Sequence, residues 1–126
     1  MENLEQRRAA NALRRATDCR KQQGEGDCLS GYPGLVINNG LLSCLAYSLE
    51  KEGQHLRVVN AIAFHLDDLE ICQRLGGGDA DAAWLLRHLI ANGTSAHTLR
   101  RATAESLAFL GYLKRFVKTP SLQQQP

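Results

Sequence analysis

The sequence predicts an all-α fold: a single-domain bundle of about five to six helices over residues 1–118, followed by a disordered polar tail at 119–126. Three observations predict it. Apolar residues recur at three- and four-residue spacing along most of the chain, the period of a helix buried on one side. Alanine, leucine, glutamine and arginine, all good helix formers, are abundant, and only three prolines are present. Glycine-rich stretches punctuate the periodic segments, and no alternating strand pairs lie between them. At 126 residues, 44 % apolar and 22 % charged, the chain can bury one core without disulfide or metal staples.

The segment from Glu2 to Gln23 reads as a surface helix, with Ala9, Ala12, Leu13, Ala16 and Cys19 on one arc. Arg7, Arg14 and Lys21, with Arg8 and Arg15 beside them, lie on the opposite arc, where Asp18 interrupts the basic stripe. Four glycines and Pro33 make residues 24–34 a loop. Over Leu35 to Lys51 two signals compete. Asn39-Gly40 between apolar runs is a hairpin signal, but Leu41, Leu45 and Leu49 follow a helical period and no partner strand follows. The helix reading prevails, with Gly40 inside it at a close helix–helix contact and Gly53 ending it. His55 to Leu75 forms a third helix on the stripe Val59, Ile62, Leu66 and Leu69, stopping at Gly76-Gly77-Gly78. Asp79 is the expected N-cap of the next helix, which carries Trp84, Leu85 and Leu89 and ends at Asn92-Gly93. Thr94 or Ser95 caps a last helical region to Lys118, with a restart at Thr103 and a core arc of Phe109, Leu110, Leu113, Phe116 and Val117.

No targeting segment is expected, because Met1 to Arg8 lacks an apolar core. The longest apolar stretch, Leu35 to Leu49, is broken by Asn38 and Asn39 and too short to span a bilayer. A cytoplasmic protein with no membrane partner is therefore expected. The four cysteines, Cys19, Cys28, Cys44 and Cys72, never form a C-x-x-C pair and read as reduced thiols.

Charge is more informative in its distribution than in its total of +2. Residues 1–23 carry six Lys/Arg against three Asp/Glu, residues 24–92 four against nine, and residues 93–126 five against one. Basic ends around an acidic middle suit an anionic polymer on one face and charged protein neighbours on another.

No catalytic constellation emerges. His65 with Asp68 at i+3 supplies two ligands at best, and a surface ion pair explains them more simply than a metal. No serine has a G-x-S-x-G context, and Gly76–Gly78 lacks the Gly-Lys-Ser/Thr of a phosphate loop. The sequence thus predicts a protein that is not an enzyme and has no catalytic residues, metal or cofactor. The basic stripes remain: Arg7, Arg14, Arg15 and Lys21 at one end, with Lys114, Arg115 and Lys118 at the other, are the candidates to form one groove wall for an anionic partner. Composition alone does not separate RNA from DNA or an acidic protein.

Two segments carry a resemblance. Tyr32-Pro33-Gly34-Leu35-Val36-Ile37-Asn38-Asn39-Gly40-Leu41-Leu42-Ser43-Cys44-Leu45-Ala46-Tyr47 and Thr103-Ala104-Glu105-Ser106-Leu107-Ala108-Phe109-Leu110-Gly111-Tyr112-Leu113-Lys114-Arg115-Phe116 resemble the loop–Pro–helix signature and final helix of one family. That family is the small subunit of the type III-B CRISPR (Cmr) RNA-guided effector complex. Pro33, Asn39 and Gly40 are the structural residues of the first match, and Tyr112 stands where the family commonly has tryptophan. Residues 53–98 carry no signature beyond helices of suitable length. The resemblance implies a helical bundle without catalytic residues, stacked in a few copies into an inner filament. It implies other Cmr subunits, further copies of itself and guide/target RNA as partners, in antiviral defence. On that resemblance Arg7, Arg14, Arg15, Lys21, Lys114, Arg115 and Lys118 become candidate RNA-binding residues. Two other readings stand beside it: the small subunit of another CRISPR effector class, and a helical protein-interaction adaptor without RNA binding.

Overall fold

A computed structural model describes residues 3–124, and among them six α-helices and one 3-10 turn are the only regular elements. Asn3 starts α1 (Leu4–Ala16) with a capping box: its side-chain oxygen accepts the Gln6 N–H at 2.8 Å, and Gln6 Oε1 accepts the Asn3 N–H at 2.8 Å. The helix stops at Ala16, short of the expected Gln23, because the carbonyls beyond it serve other donors. Arg57 donates to Asp18 O and Arg20 O, and Gln54 Nε2 donates to Cys19 O. The Gln54 amide also accepts the Cys28 N–H, and the Glu25 carboxylate pairs with Arg57 at 2.6 Å. The irregular segment 17–31 is thus fastened to the start of the central helix by side chains of that helix.

Pro33 stands in the first turn of α2 (Tyr32–Asn39), where its missing N–H has no intrahelical partner to lose. Gly40 separates α2 from α3 (Leu41–Lys51) and does not lie inside one helix as expected. Its φ of +89° and ψ of 155° place it in a region essentially reserved for glycine. No heavy atom lies within 4 Å of where a Cβ would stand, so the close helix contact is overturned as well. Gly40 donates its N–H to Val36 O and accepts the Cys44 N–H, joining the end of one helix to the start of the next. Across the break the Tyr32 hydroxyl hydrogen-bonds Ser48 Oγ and donates to Cys44 O, all buried.

Gly53 opens α4 (Gly53–Asp68) and does not end α3, which stops at Lys51. Val58, Val59, Ala61, Ile62, Ala63, His65 and Leu66 make α4 buried on most of its circumference, the core around which the others pack. It ends at Asp68, seven residues before the expected Leu75. The Glu70 N–H donates to Asp67 O and the Ile71 N–H to Leu66 O, while Glu70 takes φ +62°. This is the Schellman pattern with glutamate where glycine is usual.

Asp81, not Asp79, caps α5 (Ala82–Ile90) by accepting the Trp84 N–H at 2.9 Å, and Asn60 Oδ1 of α4 accepts the Ala82 N–H. Ser95 caps α6 (Ala96–Val117), which runs unbroken through Thr103. Phe109, Leu110 and Leu113 are fully buried, with Phe116 and Val117 half-buried beside them. Pro120–Gln124 forms a 3-10 turn packed on α1 and α6, where a disordered tail was expected; residues 125 and 126 lie outside the described residues.

Pairings along the helices give their sense. Arg7 and Asn11 meet Asp68 and His65, while Cys19 meets Arg57, so the first segment runs opposite to α4. His65 meets Glu105, and Gln54 lies beside Lys114 and Val117, so α6 also runs opposite to α4 and parallel to α1.

These three helices are joined by a buried polar chain. The Asp68 carboxylate can only accept, so it fixes the Asn11 amide with its NH₂ inward, donating at 2.9 Å. The same NH₂ faces His65 Nδ1 at 3.0 Å, which makes Nδ1 the acceptor and puts the imidazole proton on Nε2. Nε2–H donates to Glu105 Oε2 at 2.9 Å, and Arg8 closes the chain with two bonds to Glu105 at 2.7 and 2.8 Å. His65 is 0 % exposed and stacks on Phe109 at 4.5 Å, so the expected surface ion pair is instead a core histidine. Burial holds the His65 pKa below its ordinary value and outweighs the pull of Glu105. At Glu105 the balance reverses: burial would raise its pKa, but hydrogen bonds from Arg8 and His65 hold it low.

Two predictions follow from these local constraints. Gly40→Ala should destabilise by about 1–3 kcal/mol through backbone strain. D-alanine at position 40, with the mirror-image preference, should keep wild-type stability in urea denaturation; equal losses in both variants would refute the strain origin. Stability should also rise with pH, because His65 takes up a proton more readily unfolded than folded. The loss begins as pH falls through about 6.5, the unfolded value, and reaches at most about 1.4 kcal/mol per pH unit for this one proton. His55, also depressed by burial and then by Lys51, adds to the same slope, so the comparison is with His65→Gln. That variant should show a shallower dependence between pH 7 and 5, and an unchanged slope would mean that His65 titrates normally.

Candidate nucleic-acid interface

The seven cationic residues singled out in the sequence occupy different places. Arg7 donates to the Asp68 carboxylate at 3.1 Å and to its carbonyl at 2.6 Å, beside α4's last residue. Arg14 and Arg15 gather over Phe64 of α4, their guanidinium carbons 5.8 and 3.8 Å from the ring centroid. Arg115 is exposed on α6. Lys21, from the segment after α1, and Lys114 and Lys118, from the end of α6, line one cleft of about 240 Å³. Arg7 lies against Asp68 and the cleft against Gln54, 14 residues away on α4, or about 21 Å along its axis. The single groove wall expected from the sequence is therefore reduced to the three-lysine cleft.

The fold builds that cleft from three directions. The segment after α1 brings Arg20 and Lys21, the last turn of α6 and its cap bring Lys114, Val117 and Lys118, and the loop before α2 brings Asp27, Leu29 and Ser30. Arg20 Nε donates to Val117 O at 3.1 Å and ties the first of these directions to the second. Leu29 is buried and Val117 half-buried, giving the cleft an apolar floor beneath a cationic rim. None of the three lysines has a carboxylate within ion-pair distance among the described residues, whereas Arg7, Arg8 and Arg57 each have one. Lys114 and Lys118 stand at i and i+4, a mutually repulsive spacing, next to the helix C-terminus whose dipole favours cations.

Sequence reasoning missed Arg20, Asp27, Leu29 and Ser30, which share no periodicity with the basic stripes. It missed Glu105 as well, since a lone acid in a basic segment carries no sign of its burial. Burial pushes the thiols of Cys19 up to about 12 and of Cys28 and Cys72 to about 11, away from the reactive thiolate. The His65–Glu105 pair resembles a catalytic dyad in composition, but its second nitrogen faces the Asn11 amide and no nucleophile. Among the described residues no three His, Cys, Asp or Glu side chains are grouped to hold a metal ion. No described helix is long and apolar enough to cross a membrane.

Neither the curated proteins nor the solved structures contain a match to this chain. The family model described as CRISPR-associated protein (Cas_Cmr5) matches residues 4–119, which reach from the first residue of α1 to just past α6 and include both resembling segments. With the whole bundle inside that match, the chain belongs to the Cas_Cmr5 family of CRISPR-associated proteins and is a Cmr small subunit.

Proposed function

We propose that the chain is a non-catalytic inner-filament subunit of a type III-B, RNA-targeting effector complex, stacking with its neighbours and lining the groove for guide and target RNA. The observation that carries this reading is the cleft where three lysines without an ion-pair partner among the described residues converge. Like charges held together with a single carboxylate, Asp27, among them raise the energy of the free protein and lower it once an anion arrives. Phosphates are the anions that a cationic rim of this kind neutralises without demanding special geometry. Family membership supports RNA over other polyanions, and the acidic middle of the sequence supports a separate surface for protein neighbours. Antiviral defence in the cytoplasm is the setting this reading implies.

If Lys21, Lys114 and Lys118 each meet one phosphate, log affinity for single-stranded RNA should fall with log salt at a slope of about −2. Affinity then drops roughly 20-fold between 50 and 200 mM salt. Lys114→Gln/Lys118→Gln should weaken binding and bring the slope to about −0.7, with the helical circular dichroism signal unchanged. An adaptor without RNA binding predicts that the same pair of substitutions leaves RNA affinity untouched and disturbs only assembly. The purified subunit should cleave neither RNA nor ATP, with or without divalent metal; cleavage that tracks the protein through successive columns would overturn the non-catalytic part.

A further inference from the structure

We infer that the lysine cleft holds one unstacked base of the RNA strand and favours cytosine over uracil, with Asp27 accepting a hydrogen bond from the exocyclic amine. The inference rests on the RNA reading above and adds a base-reading residue to it. A flat basic patch would serve phosphates alone, but this site is concave and has an apolar floor. Its roughly 240 Å³ falls below the ~300–1,000 Å³ of sites that enclose whole small-molecule ligands, which suits a single base better than a cofactor. Half-buried Val117, backed by buried Leu29, offers an aliphatic surface to the flat face of a base, and the lysines line the same cleft, where the flanking phosphates would run.

Asp27 is the one acid among the residues lining the cleft, and its presence against four cations, Arg20 and the three lysines, needs a reason. A carboxylate there repels phosphate and makes no ion pair with the lysines. Its Oδ1 accepts the Leu29 N–H at 3.1 Å, which holds the side chain in a local turn. The other oxygen, Oδ2, has no donor among the described residues and is left as an acceptor. Gln54, by contrast, has both amide ends committed, to the Cys28 N–H and to Cys19 O, and forms wall alone. An acceptor-only group distinguishes the two pyrimidines: cytosine offers an amine at its 4-position, where uracil offers a carbonyl oxygen that the carboxylate repels.

The test is binding of octacytidylate and octauridylate to the full chain, followed by backbone amide shifts in solution across a salt series. Cytidylate should bind about fivefold more tightly than uridylate, with shifts at Leu29, Ser30 and Val117. Asp27→Asn keeps the oxygen that accepts the Leu29 N–H but adds a donor suited to uracil. It should erase the preference while leaving the salt slope in place. Equal affinity for the two oligomers at the expected slope would overturn the base-reading cleft and leave the RNA reading standing. Binding of neither oligomer at 50 mM salt would overturn both. Discrimination that survives Asp27→Asn would remove Asp27 from the role.

Discussion

Glu105 sits in the interior of a helix bundle at 7 % exposure, where an unaccompanied carboxylate would be strongly unfavourable. Everything around it is arranged to satisfy it: a two-pronged arginine from α1, an imidazole N–H from α4, and beyond the imidazole an amide fixed by a second carboxylate. Removing one member of such a chain costs about 3–5 kcal/mol, because the remaining charge stays buried without its partner. The chain therefore contributes most through geometry. The buried face of α1 offers Ala12 and Ala16, side chains too small to define a register alone. The hydrogen bonds from Arg8 and Asn11 define it instead, and α1 cannot slide one turn without stranding both carboxylates.

That register reaches the proposed RNA surface. Lys21 stands five residues beyond the end of α1, and Arg57 and Gln54 clamp the intervening carbonyls onto α4. Glu105 lies on the same helix as Lys114 and Lys118, so the polar chain positions α1 against the helix that carries the other two cations. The cleft at one end of α4 and the carboxylates at the other are parts of one rigid arrangement.

The helices were legible in the sequence wherever the signal was local. The Ser95 cap, the apolar arc of α6 and the glycine-rich stretch before α5 needed no tertiary information. The misplacements have specific physical causes. Gly40 fits a helical apolar period on both sides, and periodicity cannot see a positive φ that interrupts it for one residue. The end of α4 was hidden because the left-handed position is filled by Glu70, a residue with no turn signature. α1 looked longer than it is because Cys19 continues its apolar arc; it is buried, but from a non-helical segment. Of the candidate site, the cationic residue types were legible, but which of them meet depends on the helix senses and on a loop that brings Asp27 and Leu29 to the lysines.

The two kinds of cation have separate duties. Arg7, Arg8 and Arg57 are joined to carboxylates or to chain carbonyls, and Arg14 and Arg15 lie over an aromatic ring. A planar guanidinium with several fixed donors suits these structural roles, since it can satisfy two acceptors at once or lie flat on a ring. The cleft lysines hold compact, rotatable charges on flexible stems and form no ion pair among the described residues. In the proposed RNA reading such groups would follow a phosphate backbone without imposing an orientation on it, which would leave orientation to the apolar floor and to Asp27. The excess of basic residues at the two ends of the sequence thus divides between guanidinium groups held by the bundle and lysines without an ion-pair partner among the described residues. Composition alone could not separate them, because the distinction lies in which carboxylates the fold brings within reach.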